Sequence, residues 1–558
     1  MKSETGDPKP EGRPRPEARI GWLAQIRSMI CSHSHPAQIA KPGPSLIALV
    51  VGQQERDVGR QPHAPVSHLR LLPRFRLSGF GLRVSSAAPV AFLASLTLIA
   101  ALAGCALGPH YKRPAVSSPD NFRSATGPAA TNSLADLAWW DLYQDPTLTE
   151  LIRVALTNNY DIRIAVTRVE QARQVAAQAR AQFLPTVTYQ GGVSYGKNEF
   201  VGSPAATGQE RGGALATANA LWEVDLWGRI RRLNESARAQ YLATEEAQRG
   251  VRLSLVSSVA QAYFELLALD LQLDIAKRST NSFGESLRIF TMRLRRGIVS
   301  KLETSRAEAA LATAAASVPE LERQITLKEN EISILLARPP GPIERSVKLL
   351  EQNLSPEVPA GLPSGLLERR PDILQAEQTL RAANAQVGVA MAEFFPKIGL
   401  TAFAGKVSPE LSAFTAGSAN AWSLAANATG PIFQGGALRA QYRQAKAVWD
   451  QARLQYEQTA LNALQEVSAA LVSREKYEAI RVQQSRAVNA NTNAVQISMQ
   501  RYLEGTAQYY EVLDAQTQLF PAESALAQTR LNQLAVIVQL YKALGGGWQE
   551  AAEAANSP

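Results

Sequence analysis

Apolar positions along this chain change their period twice, each time at a proline. Before Pro185, Ala165, Val169, Ala172 and Ala176 recur at helical spacing; beyond it, Val187, Tyr189, Val193 and Tyr195 alternate with Thr186, Thr188, Gln190 and Ser194. The first pattern predicts a helix with a narrow oily stripe, the second a strand with one apolar face. Proline suits the hinge because it donates no backbone hydrogen bond and is tolerated where a strand begins. The junction returns at Pro396, reached through Ala392-Glu393-Phe394-Phe395.

Taken in order, the pattern predicts a helix around Thr147–Asn158 and another from about Asp161 to Phe183. Strands follow at Thr186–Gly196 and Gly213–Val224, the second with Ala214, Ala216, Ala218, Ala220, Trp222 and Val224 on one side. A very long helix then runs from Arg229 to Leu294, a turn falls at Arg296-Gly297, and a helix over Lys301–Leu336 is stopped by Arg338-Pro339-Pro340. After a Pro-rich connector the order repeats: helix Pro371–Phe394, strands Lys397–Gly405 and Ala421–Thr429, a long helix from Ala437, a turn at Gly505, and a last helix to Leu544. Gly545-Gly546-Gly547 ends that helix, whereas Pro521 inside it is expected to disturb its path.

The recurrence keeps register. Asp161/Asp372, Ala165/Ala376, Phe183/Phe394 and Pro185/Pro396 share an offset of 211, and beyond the strands the offset is 208: Ala237/Ala445, Val259/Val467, Arg293/Arg501, Gly297/Gly505, Glu303/Glu511 and Leu336/Leu544. Chance similarity between Ala-rich helices does not hold one register over such a distance, so the chain is internally duplicated.

Lengths then constrain the architecture. At about 1.5 Å per residue the Arg229–Leu294 helix is roughly 100 Å long, a span that the two shorter helices of a repeat approach only when stacked end to end. Four strands of about ten residues with one apolar face have the length and pattern of outer-membrane strands. In lipid a sheet must close, and four strands cannot. Several copies must therefore contribute, as a dimer of 8 strands or a trimer of 12, and the trimer leaves the wider hole. The expected fold is mainly α with a small membrane β part: a homotrimer whose 12-stranded β-barrel continues into a long periplasmic α-helical barrel. Trp222, Trp227, Trp422 and Phe433 fall near strand ends, where an aromatic girdle would sit.

Charge matters only after the chain is divided. The formal net charge is +9, but residues 1–104 hold 13 Lys/Arg against 6 Asp/Glu, leaving 45 against 43 in the remainder. The basic balance belongs to a leader and gives no argument for a nucleic-acid partner. Within it, Val90–Leu102 is an apolar run too short to span a bilayer, preceded by Arg70, Arg74, Arg76 and Arg83 and followed by Ala103-Gly104-Cys105. That is the form of a secretory signal. Its Leu102-Ala103-Gly104-Cys105 ending resembles a bacterial lipobox, which implies a covalent lipid on Cys105 and, with Ala106 following, no inner-membrane retention. The expected division is 1–68 a mis-assigned or dispensable extension, 69–104 signal peptide, 105–160 lipidated tether and equatorial segment, 161–353 first repeat, 354–370 connector, 371–548 second repeat and 549–558 tail. Beyond Cys105 the chain has no further cysteine and only His110, which argues against disulfides, Cys/His metal sites and other cofactors.

Several stretches together resemble the TolC-like outer-membrane efflux proteins, closest to their OprM-type lipoprotein branch. They are Trp139-Trp140-Asp141-Leu142, Trp222-Glu223-Val224-Asp225-Leu226-Trp227-Gly228-Arg229, Glu368-Arg369-Arg370-Pro371-Asp372, Phe394-Phe395-Pro396, Leu513-Asp514-Ala515-Gln516 and Tyr541-Lys542-Ala543-Leu544-Gly545-Gly546-Gly547-Trp548. The resemblance implies a trimeric exit duct in the outer membrane, docked to a periplasmic adaptor and an inner-membrane pump of the RND type. It implies closure where the hairpins turn, at Gly297 and Gly505, with Tyr510 and Asp514 lining the constriction and Glu511 and Glu303 at further acidic gate positions. Glu511 and Asp514 share a helix face, so three copies would stack acidic rings that favour cations. Arg306, the repeat mate of Asp514, would bridge to a neighbouring acid when shut. Two other readings stay open: the outer-membrane component of a type I secretion system, and a coiled-coil lipoprotein with no pore. A carboxylate-based enzyme finds no converging constellation.

Overall fold

The computed structural model describes residues 106–546 apart from 118, 120, 123–133, 135–136, 198–209, 353–362 and 410–411. Cys105, the leader and the tail from 547 onward lie outside the described residues.

After a short helix α1 (Trp139–Leu142), Asp145 starts α2 (Pro146–Asn158) by accepting from the backbone N–H groups of Thr147 and Leu148. Asn159 does the same for α3 (Tyr160–Ala181) through Asp161 and Ile162. The predicted helix ends at Phe183 and Phe394 come two residues early. From Gln182 to Leu184 the chain tightens into three successive i→i−3 bonds, the last from Leu184 N to Ala181 O at 3.0 Å, and Pro185 then has no N–H to offer. Strand β1 (Thr186–Lys197) begins at once. In the second repeat α7 (Pro371–Ala392) passes through a like turn to Pro396 and β3 (Lys397–Ser408).

Strands β1, β2 (Glu210–Val224), β3 and β4 (Asn420–Thr429) form one antiparallel sheet in chain order. The register puts Val187, Ala220, Ala402 and Leu424 side by side, and Tyr189 beside Ala218, Ala404 and Trp422. Opposed residues share a face, so one face of the sheet is largely apolar, with Lys406, Ser408 and Asn420 at one end of it, and the other mixes Thr188, Asn219, Thr401 and Ser423 with Leu221 and Phe403. The apolar face is bare, with Tyr189 93% exposed. Among the described residues β1 and β4 each have a partner on one side only.

Below the sheet stand α4 (Arg229–Arg295) and α8 (Ala437–Leu503), each of 67 residues, about 100 Å of helix. α5 (Lys301–Leu335) and α9 (Tyr509–Ala543) return from their tips. α4 packs against α3, α5, α7 and α9, whereas α8 packs against α7 and α9. Pro521 does not end the last helix: α9 is continuous through it, as α5 is through Pro319. One lost backbone bond is tolerated because α9 is held by packing on α4 and α8, and by Glu523, which pairs with Arg278 at 3.1 Å two residues beyond the proline.

Near mid-height the helices are belted by irregular chain and the short helix α6 (Leu366–Arg369). Asp145 is its hub, with a carboxylate that also accepts from the Tyr263 hydroxyl (3.0 Å), Ser346 Oγ (2.7 Å) and Gln352 Nε2 (2.7 Å). Fully buried Tyr541 donates to Leu137 O across the belt. The segment after Cys105, expected as a tether, is extended but strapped down. Leu107 N donates to Trp227 O, buried Arg232 donates to Leu107 O and Gly108 O, and Asn384 holds Pro109 O.

Candidate functional site

The two long hairpins turn alike. At Gly297 (φ +72°) Ile298 N reaches back to Arg293 O, and at Gly505 (φ +80°) Thr506 N reaches back to Arg501 O. Each is a helix end closed by a left-handed residue, which glycine adopts without strain. The sequence placed both turns, since an αL stop after a long periodic run is a local signal.

The tips of the two repeats meet on a small apolar cluster of Phe290, Ala307, Tyr502 and Val512. Phe290 stands edge-on to Tyr502 (5.1 Å) and to Tyr509 (6.1 Å). The Arg293 guanidinium lies 4.2 Å over the Tyr502 ring and donates to Leu503 O at 3.2 Å. Burial pushes the Tyr502 phenol above its ordinary value, and the Glu303 charge adds to that while Arg293 opposes it. Above the cluster, Gln516 bridges Ser286 Oγ (3.0 Å) and Ser282 Oγ (2.8 Å), a buried polar tie between α9 and α4.

Around this cluster the expected gate residues take distinct positions. Glu303 caps α5, its Oε1 accepting from Ser300 N at 3.4 Å. Arg306, expected to bridge to an acid, donates instead to the Tyr509 hydroxyl at 3.0 Å, across the repeats. Glu511 pairs with Arg501 at 3.1 Å inside its own hairpin. Asp514 accepts from Gln518 Nε2 at 2.8 Å, and no cation pairs with it among the described residues. Tyr510 is 57% exposed. Of these tip residues, Glu511 alone has a counter-charge, in Arg501, whereas Arg306, Glu303 and Asp514 form no ion pair among the described residues.

At the sheet, Trp222 and Trp422 both lie on the apolar face, Trp222 opposite Leu400 and Trp422 opposite Ala404, roughly 13 Å apart along β3. Trp222 Nε1 donates to Phe183 O. Trp227, beyond the end of β2, packs on Phe395 and donates to Pro396 O at 2.8 Å, which locks the first repeat to the hinge of the second. Phe433 projects beyond β4, 88% exposed.

Sequence reasoning missed Phe290, Arg293, Tyr502, Tyr509 and Gln516 as a unit. Arg293 and Arg501 are repeat mates, and that correspondence was the available signal; the contacts themselves join residues more than 200 apart. Among the described residues no helix is long and apolar enough to cross a membrane, and no cluster of His, Cys, Asp and Glu has the form of a metal site.

The pattern that defines outer membrane efflux proteins matches residues 151–338 and again 362–546. The toluene efflux pump outer membrane protein TtgC of Pseudomonas putida is 35% identical over 465 residues, 82% of this chain and 95% of that protein. The cation efflux system protein CusC of Escherichia coli is 34% identical over 457 residues, 81% of this chain and 97% of that one. Among solved structures, the outer-membrane channel OprN aligns over 80% of this chain and all of its own, with a TM-score of 0.74 and 32% identity.

Proposed function

The chain belongs to the outer membrane efflux protein family, and on that premise we propose that three copies close their sheets into a 12-stranded barrel, continued below by a ring of helices whose tips form the gate. It is an outer-membrane efflux channel with its helical part in the periplasm. What supports the ring is one observation: a four-stranded sheet, largely apolar and exposed on one face, whose edge strands β1 and β4 have no second partner among the described residues. Backbone groups at such edges have no water to bond in lipid, so they must pair with another copy. A coiled-coil lipoprotein without a pore accounts for the helices but leaves this face without a purpose.

In this reading Asp514 and Tyr510 line the constriction and Glu511 and Glu303 flank it. The uncompensated Asp514 carboxylates, three around an axis, attract cations and hinder anions. Opening moves the hairpins apart at the Phe290 cluster. The turns at Gly297 and Gly505 face the periplasmic adaptor, and an inner-membrane pump of the RND type supplies the energy. The protein needs no cofactor and carries lipid on Cys105, adjacent to the strapped segment Ala106–Pro109. TtgC and CusC, nearly equally similar to this chain, are named for toluene and for cations; selection among cargoes therefore lies with the pump rather than with the duct.

The test is single-channel conductance in planar bilayers. Asp514→Ala with Glu511→Ala is expected to raise conductance and lower cation preference. Unchanged values would remove the gate assignment, and absence of any channel in wild-type protein would remove the duct.

A further inference from the structure

We propose that the start of α8 is a lipid site: Ile432, Phe433, Arg439, Arg443 and Lys446 take an anionic phospholipid of the periplasm-facing leaflet. This rests on the outer-membrane placement stated above and names the lipid class that one part of the surface selects.

Three basic side chains open α8. Arg439, Arg443 and Lys446 stand four and three residues apart, so they share one face of the helix. All three are exposed, and their side chains form no hydrogen bond or ion pair among the described residues. The next acid along that face, Asp450, is engaged by Arg453 at 4.0 Å, and Arg453 in turn holds Glu457 at 2.7 Å. Just before the helix, Ile432 and Phe433 are bare. An apolar pair beside unpaired cations suits a membrane surface, with the rings and alkyl groups among acyl chains and the cations at phosphates.

The first repeat shows which side of the molecule the stripe occupies. Glu223 lies on the mixed face of the sheet with Asn219, and Arg229 grips it through two bonds of 2.8 Å. Arg231, two residues on, is turned about 200° away. It sits by Gly228 on the side where the strap passes: a Cβ added to Gly228 would lie 2.7 Å from Ala106 Cα and 3.5 Å from the Arg231 guanidinium. The offset of 208 carries Arg231 to Arg439, Glu235 to Arg443 and Arg238 to Lys446. The stripe therefore shares the outward side from which the strap leads to Cys105.

The two repeats differ in charge at this place. In the first, Asp225 pairs with Arg231 at 3.2 Å, and Glu235 stands between Arg231 and Arg238. In the second, Phe433 replaces Asp225 and Arg443 replaces Glu235, so the formal charge at the four positions goes from zero to +3. The first repeat has its strap and the lipid proposed on Cys105; the second has a cationic patch that a bound anionic lipid would complete.

Height fits as well. β4 ends at Thr429 and α8 begins at Ala437. Arg439 and Lys446 come about 3 and 14 Å below Ala437 along the axis. Helix side chains lean toward the N-terminus, here toward the bilayer. The field of an anionic leaflet persists over a Debye length of about 8 Å, which is enough to act on them.

Binding of headgroup-labelled lipids to the purified full-length protein in uncharged detergent tests the site. Phosphatidylglycerol should bind more tightly than phosphatidylethanolamine. Arg439→Gln/Arg443→Gln/Lys446→Gln should weaken phosphatidylglycerol about tenfold and leave phosphatidylethanolamine unchanged, whereas Ile432→Ser/Phe433→Ser should weaken both. Arg288→Gln/Arg295→Gln/Arg486→Gln, which removes the same charge lower on the helices, should match wild type. An equal loss in that control, or no preference in the wild type, overturns the site. Displacement by inorganic phosphate at equal concentration overturns the lipid assignment in favour of a free anion. Loss of the oligomer in the first variant with the lipid preference intact makes the stripe a contact between copies and also overturns it. Protein that conducts without lipid preference sinks this inference and leaves the duct; protein absent from the outer membrane sinks the placement itself.

Discussion

Arg306 and Tyr509 are 203 positions apart in the chain, yet the guanidinium of one donates to the hydroxyl of the other at 3.0 Å, joining the first hairpin to the second at the tip. In the proposed gate, opening would separate this pair. Because it is solvent-exposed, it contributes no more than about 1 kcal/mol.

Tyr509→Phe removes that acceptor while keeping the ring beside Phe290. The open fraction in planar bilayers should rise about fivefold at most, the equivalent of ~1 kcal/mol, and Arg306→Ala should add nothing further in the double variant. Additive effects would show that the two side chains act separately.

At Gly505 the backbone is left-handed and a Cβ would meet nothing within 4 Å, so Gly505→Ala introduces backbone strain alone. The expected cost is about 1 kcal/mol. It should appear as faster hydrogen exchange over the flanking turns, with the sheet and belt unchanged. Gly297→Ala should behave alike in the first repeat.

The strap after Cys105 depends on a close approach. Gly388 leaves room for Arg232 and Leu107 O, either of which would lie within 2.9 Å of an added Cβ. Gly388→Val should release residues 106–109 to limited proteolysis while channel conductance persists. Farther along the strap, burial and then the Glu377 charge push the Tyr111 phenol up to about 12. A folded value above the unfolded one means the contribution is complete below about pH 10 and lost as pH rises toward 12. Alkaline release of the strap should therefore be blunted in Tyr111→Phe.

Glu246 is largely buried beside Arg249, and its Oε2 has no hydrogen-bond partner among the described residues. Burial raises its pKa, more than Arg249 lowers it. The folded state thus holds this proton more tightly than the unfolded chain, and stability is lost as the carboxyl ionises with rising pH. Glu246→Gln should match wild type near pH 4 and gain on it by pH 7 in thermal unfolding of detergent-solubilised protein. A constant difference across that range would rule out the ionisation cost.

The sequence by itself determined the duplication, both helix-to-strand switches, the turns at Gly297 and Gly505, and the apolar face of every strand. Each of these is written in spacing between near neighbours, where a period of two or of 3.6 is enough. It also marked Glu303, Glu511 and Asp514 as a group, through repeat offsets and family resemblance. Only the tertiary structure decided who touches whom: that Arg306 meets a phenol rather than a carboxylate, that Arg501 pairs with Glu511 and leaves Asp514 without a counter-charge among the described residues, that α9 continues through Pro521, and that Ala106–Pro109 is strapped down rather than trailing. Those outcomes depend on packing between segments hundreds of residues apart, and local periodicity carries no record of the partner on the other side.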